Sequence, residues 1–172
     1  RQRLAEQDPG NAGWQRDLSV SYEKIGDIRS AQGQLDEALD AFNNSLIIAQ
    51  RLAEQDPGNA KWQRDLSVSY EKIATFHRRN GEPARAIEQL EQAYAISTRL
   101  AAATGHTFFQ TTWVVHCWQL ADAHRANGQP EPAAAYLRKG LAVLRRLEKD
   151  GLLNAQQQGW PAAFEQALAE LE

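Results

Sequence analysis

Methionine is absent from all 172 residues, including position 1, and cysteine occurs once, at Cys117. A lone thiol cannot close an internal disulfide, which removes the secreted disulfide-scaffold class and fits a reducing compartment. The missing initiator predicts that the chain is a segment of a longer one. Valine, isoleucine and threonine are sparse, so there is little material for a β-sheet. No surplus of positive charge exists: 19 Lys and Arg stand against 22 Asp and Glu, for a net charge of -3. That excludes a general nucleic-acid or anionic-membrane binder, which needs a basic excess. No apolar run approaches the ~18 residues of a membrane span, and no charged-then-apolar leader is visible.

What remains is alanine, leucine, glutamine, glutamate and arginine, all good helix formers. The arrangement is periodic. Residues 3–25 and 51–73 are identical except at Gly13 and Lys61, a period of 48. Beyond that stretch Gly33 matches Gly81, Ala38 matches Ala86 and Phe42 matches Leu90. A third, weaker copy follows at a spacing of 47, with Leu66 mapping to Trp113, Val68 to Val115, Ile73 to Leu120 and Gly81 to Gly128. The opening RQRLAEQ matches the end of each unit, as at Arg51–Gln55, and is expected to be the tail of a preceding second helix.

Each unit reads as two helices. Asp8-Pro9-Gly10-Asn11 breaks the chain, because proline lacks the amide donor and Gly-Asn tolerates turn dihedrals. Asn11 can cap the helix that follows. Trp14, Leu18, Tyr22 and Ile25 lie at spacings of four, four and three, on one helical face. Gly33 ends this helix in the left-handed conformation. Leu35, Ala38, Leu39, Phe42, Leu46 and Ala49 mark the second helix. The short turn allows only an antiparallel pair. Near-repetition of such pairs predicts a stacked solenoid, since one pair cannot cover its own apolar face.

Tyr22, Ile25-Gly26, Gly33, Ala38 and Phe42 resemble the core of the tetratricopeptide repeat, which shows an aromatic, Leu-Gly, a turn glycine, alanine and an aromatic at these spacings. Tyr70, Ile73-Ala74, Gly81, Ala86 and Leu90 repeat the pattern. Cys117, Leu120-Ala121, Gly128, Ala133 and Leu137 repeat it again. The unit of 48 exceeds the family's 34, and the additions include Trp14, Trp62 and Phe109. This length resembles the repeats of kinesin light chains and of bacterial multidomain signalling proteins. The expected fold is therefore all-α: a right-handed α-α superhelix of three helical hairpins plus a C-terminal capping helix. The repeats are expected over residues 11–56, 59–103 and 107–150, in one domain. Asp150-Gly151 stops the last of these helices, and Pro161 suits the first turn of a cap at about 152–171, with Ala163, Phe164, Ala167, Leu168 and Leu171 on one face.

The resemblance implies binding rather than catalysis, with the first helices lining a concave groove that holds a protein or peptide segment. Carried over by position, the groove residues are Arg16, Glu23, Lys24 and Asp27, with Ser30; then Arg64, Glu71, Lys72, Thr75, Arg78 and Arg79; then Trp118, Gln119, Asp122 and Arg125. Lys72, Arg78 and Arg79 form a basic centre suited to an acidic or C-terminal peptide. In chaperone-binding members a carboxylate is clamped by lysine, asparagine and arginine. Here the asparagine positions hold Asp27 and Thr75, which weighs against that partner. Trp14 and Trp62, at one position in successive copies, read as packing. Trp118 reads as the exposed binding aromatic.

His77, His106, His116 and His124 show no metal-ligand spacing, and adjacent His116 and Cys117 diverge by about 100° around a helix. Cys117, at a packing position, reads as a buried thiol. No phosphate loop or nucleophile elbow is present. The chain is thus expected to be a cytoplasmic, non-enzymatic scaffold, without metal or cofactor, that binds another protein and neither nucleic acid nor membrane. Two other readings stand beside it: self-assembly through an uncapped N-terminal repeat face, and the regulatory arm of a larger signalling enzyme or ATPase.

Overall fold

The breaks expected from the sequence begin and end the helices. In the computed structural model, which describes residue 8 and residues 10–171, the Asn11 side chain accepts the Trp14 amide at 3.1 Å. Asn59 repeats this on the Trp62 amide at 3.3 Å. Each cap satisfies an amide that the first turn leaves without a helical partner. Gly33, with φ +75°, closes the helix that follows. Its neighbour Gln34 turns its amide back to the Arg29 carbonyl at 2.9 Å, and Gln129 does the same to His124 after Gly128. Only glycine takes this left-handed conformation without steric cost.

The described residues form seven helices and no strand. They are α1 (Ala12–Ala31), α2 (Leu35–Gln55), α3 (Ala60–Arg79), α4 (Pro83–Thr104), α5 (Thr107–Ala126), α6 (Pro130–Lys149) and α7 (Trp160–Ala169). The fold is all-α. The tail expected at residues 1–7 lies outside the described residues. The chain divides between Asn80 and Gly81 into two compact units.

In the first unit α1 packs on α2, α2 on α3, and α1 also touches α3. Close approach in the α1–α2 pair is set by Gly26. A Cβ there would lie 2.6 Å from the Phe42 ring, so Phe42 occupies the space a side chain would fill. Phe42 also meets Phe76 of α3 edge-on at 6.1 Å between ring centroids. Ala38, Phe42, Ile73 and Phe76 form the core cluster of this unit.

The side of α1 turned to α2 differs from expectation. Gln15, Ser19 and Gly26 are its buried residues. Trp14, Leu18 and Tyr22 are half-buried and Ile25 is exposed. The cause is geometric: the inside of a tight hairpin takes small side chains, and the large apolar stripe is left for a neighbour on the other side. Trp62, like Trp14, is half-buried.

In the second unit α5 packs on α4, α6 on α5, and α7 on α6. Its core is Val114, Cys117, Ala121, Ala133, Leu137, Leu141, Leu144 and Phe164. The capping helix continues the repeat: at a further 47 residues Trp160 follows Trp113, Phe164 follows Cys117 and Ala167 follows Leu120. Phe164 is seated on Gly140, where a Cβ would lie 2.4 Å from its ring. By the same periods Gly140 occupies the place that Ser45 holds in α2.

Candidate protein-binding clefts

Three polar links join α1 to α3 in the first unit. The Arg16 guanidinium grips Asp65 through two nitrogens, the second at 3.2 Å. The contact holds the guanidinium above its usual range, chiefly through its hydrogen bond to Asp65. Glu23 accepts hydrogen bonds from Ser45 and Ser69, each at 3.2 Å. Burial raises the Glu23 carboxyl above the ordinary range, against the lowering effect of those two hydroxyls and of Lys72. Lys72 donates to Asp27 at 2.7 Å. The serines are themselves joined, Ser19 to Ser45 at 2.9 Å and Ser45 to Ser69 at 3.3 Å.

Below the Lys72–Asp27 bridge lies a cleft of about 190 Å³, lined by Asp27, Ser30, Glu71, Lys72, Thr75 and Arg79 over a floor of Phe42, Val68 and Phe76. The structure thus brings Asp27, Glu71, Lys72, Thr75 and Arg79 of the predicted groove into one place, with Ser30. Arg16 and Glu23 are committed to the α1–α3 links. Lys24, Arg64 and Arg78 are exposed outside the cleft. Phe42, Val68 and Phe76 were missed as floor residues because their spacing marks them only as core. Glu71 and Arg78 each have an interacting partner. Arg79 is exposed, and no ion pair holds it among the described residues.

The second unit has an apolar cleft of about 280 Å³ between α5 and α7, lined by Val114, Val115, Trp118, Trp160, Ala163 and Phe164. Trp118 is 38% exposed and tilts against Phe164 at 5.0 Å between centroids. Asp122 and Arg125 pair at 3.1 Å and line a smaller recess beside it with Trp118. Gln119 is half-buried, and its side-chain oxygen has no hydrogen bond among the described residues.

Cys117, His116 and His124 are buried within the second unit. Cys117 is fully buried, and burial pushes its thiol up to about 12. At that value essentially no thiolate exists at neutral pH. His116 bonds Ser97 at 2.8 Å, and His124 bonds Gln129 at 2.8 Å while stacking on Tyr136. Among the described residues no three of His, Cys, Asp and Glu gather closely enough to hold an ion. No described helix is long and apolar enough to cross a membrane.

Residues 17–97 match the family model of the tetratricopeptide repeat. No curated protein sequence matches the chain. Among solved structures it is similar to a de novo designed helical repeat protein, at 12% identity over 98% of this chain and 87% of that one, with a TM-score of 0.45. It is also similar to the DHF58 filament, at 13% identity over 93% and 80%, TM-score 0.46. The MamA protein aligns at 16% identity over 91% and 92%, TM-score 0.36.

Proposed function

We propose that this chain, a tetratricopeptide-repeat chain over residues 17–97, is a protein–protein interaction module that holds a peptide segment in the α1–α3 cleft of its first unit. Repeats of this family mediate contacts between proteins, and the cleft supplies the chemistry for one. The observation that carries the reading is the convergence of Asp27, Ser30, Lys72, Thr75 and Arg79 over an aromatic floor of Phe42 and Phe76. At about 190 Å³ the space is smaller than the ~300–1,000 Å³ of a small-molecule site, and suits a side chain or two of a longer segment. Lys72 is already neutralised by Asp27, so Arg79 is the cation left to receive a carboxylate, by a two-pronged hydrogen bond. The favoured ligand is a peptide with an apolar side chain next to an acidic residue or a free C-terminus. In the second unit Trp118 offers a separate aromatic contact, with Asp122 and Arg125 beside it.

Panning a phage-displayed random dodecapeptide library against the full chain tests this. Selected peptides are expected to carry a carboxylate beside Leu or Phe. Arg79→Glu is expected to weaken them at least ~10-fold, the scale of one lost charge-assisted hydrogen bond, and Arg51→Glu on α2 to leave them unchanged. Equal binding to the Arg79→Glu chain sinks the assignment.

A further inference from the structure

A separate cleft in the second unit opens at the end of α4. Its volume of about 370 Å³ falls within the ~300–1,000 Å³ of small-molecule sites, where the first-unit cleft does not. α4, α5 and α6 each supply a wall. Thr98, Ala101 and Ala102 lie on one face of α4, at spacings of three and one, and Gly105, with φ +60°, ends the helix. These side chains are short. They leave open a space that Val143 and Arg146 of α6 border from the other side.

The polar groups of this cleft are held in place. Trp113 of α5 donates its indole N–H to the Thr98 hydroxyl at 2.9 Å. Thr98 donates in turn to the Tyr94 carbonyl at 2.8 Å. The indole also lies against the Tyr94 ring, at 5.6 Å between centroids. The Gln110 amide donates to the Gly105 carbonyl at 2.8 Å, and its oxygen accepts the Arg146 guanidinium at 2.7 Å. One donor of Arg146 is used to fix the group, and its other N–H groups are left for a ligand.

Charge narrows what that ligand is. Among the described residues Arg146 is the one charged side chain lining the cleft, and no ion pair holds it. Arg145, its neighbour on α6, is paired with Glu165 at 2.8 Å. A guanidinium anchored by a neutral amide is a fork ready for an anion. A single cation matches a single negative charge, which favours a carboxylate over the nearly double charge of a phosphate group.

We propose that this cleft binds a small aromatic monocarboxylate. The carboxylate takes paired N–H groups of Arg146, and the ring lies among Ala101, Ala102, Trp113 and Val143. A cavity of ~150 Å³ accommodates benzene, so the larger space here admits two fused rings with a short acidic arm. The site is independent of the peptide cleft of the first unit, and either can fail alone.

Isothermal titration of the full chain with 1-naphthylacetate tests this, with 1-naphthylacetamide as its uncharged counterpart. The acid is expected to bind with a Kd on the order of 0.1–1 mM. The amide should bind at least ~10-fold more weakly, the scale of a lost charge-assisted hydrogen bond. Arg146→Gln should remove the difference between the two, and Arg145→Gln should leave it unchanged. Ala102→Trp, at an exposed position, should fill the cleft and abolish binding of the acid. Should that variant fail to fold, Arg146→Gln, a change at an exposed side chain, still decides.

In amide NMR spectra the acid is expected to shift Thr98, Ala101, Gly105 and the Trp113 indole N–H. Absence of saturable binding in the millimolar range overturns the proposal, as does equal binding of acid and amide. Shifts confined to the α1–α3 cleft would place the acid there and overturn it too. Tighter binding of the free-acid peptide Ala-Ala-Ala-Leu, with displacement of the acid from Trp113, would show a chain end as the occupant and overturn the small-molecule assignment.

Discussion

In the first unit α3 meets α1 through Arg16 and Asp65, Glu23 and Ser69, and Asp27 and Lys72. At the corresponding register of the second unit, α7 meets α5 through apolar and aromatic groups. Periods of 48 and 47 carry Glu23 to Trp118, Ser69 to Ala163 and Ser45 to Gly140. Where a carboxylate takes two serine hydroxyls in one unit, Trp118 and Ala163 border an apolar cleft in the other. The same backbone position supports a polar seam with modest net stabilisation and a directional fit, or a large apolar seal without hydrogen-bond direction. A repeat that is to be followed by another profits from the first. A repeat covered by a cap is better served by the second.

The most damaging change should fall on the apolar seal. Phe164→Ala removes a buried ring from the Gly140 seat and is expected to cost ~3–5 kcal/mol, read from urea denaturation. It should also open Cys117, which is expected to resist thiol reagents in the native chain and to react in this variant. A native thiol that labels as fast as a free one would contradict the seal.

Gly26→Ala probes the tight approach in the first unit. Its new methyl meets the Phe42 ring at 2.6 Å, and overpacking of this kind costs ~1–3 kcal/mol, more than the helix gains from alanine. A stabilised Gly26→Ala chain would mean that Phe42 does not depend on that space. Lys72→Ala should cost under ~1 kcal/mol, because both partners of this bridge are partly solvated. The loss should vanish in molar salt.

The smallest effect is the most diagnostic of the polar seam. Burial raises the Glu23 carboxyl, so folding favours its protonated form. Its contribution is fully present below the ordinary carboxylate range and is lost as pH rises through the raised value. Glu23→Gln keeps an acceptor without the charge. It should raise the urea midpoint at pH ~7 and leave it unchanged near pH ~4. A gain of equal size at both would place the effect outside ionisation.

The turns and caps were legible because they are local. Asn11, Gly33, Gly128 and Pro161 act on atoms within a few residues, and the chain shows them doing so. The α1–α3 links were not legible, since each joins residues 45 to 49 apart and rests on which polar positions of two helices face each other. Periodicity found the stripe of Trp14, Leu18, Tyr22 and Ile25, but a stripe does not say which neighbour it meets. The side facing α2 is the unremarked one of Gln15, Ser19 and Gly26. Within the cleft, Asp27, Lys72 and Arg79 were named by position in the repeat. Its floor, Phe42 and Phe76, has the same spacing as any buried pair.

Each hydroxyl of Ser19, Ser45 and Ser69 carries a single hydrogen, which gives the buried seam a sense of direction. With Glu23 ionised, Ser45 and Ser69 point their hydrogens at its carboxylate, and Ser19 points at Ser45. Both hydroxyls meet the same carboxyl oxygen, Oε1, so a proton on the other oxygen leaves that acceptor in place. Ser69 also lies 3.3 Å from the Asp65 carbonyl, and Ser19 3.4 Å from the Ser45 carbonyl. The hydroxyls on α1 and α3 thus each have a second acceptor within reach, and the line can take up a proton without any oxygen moving.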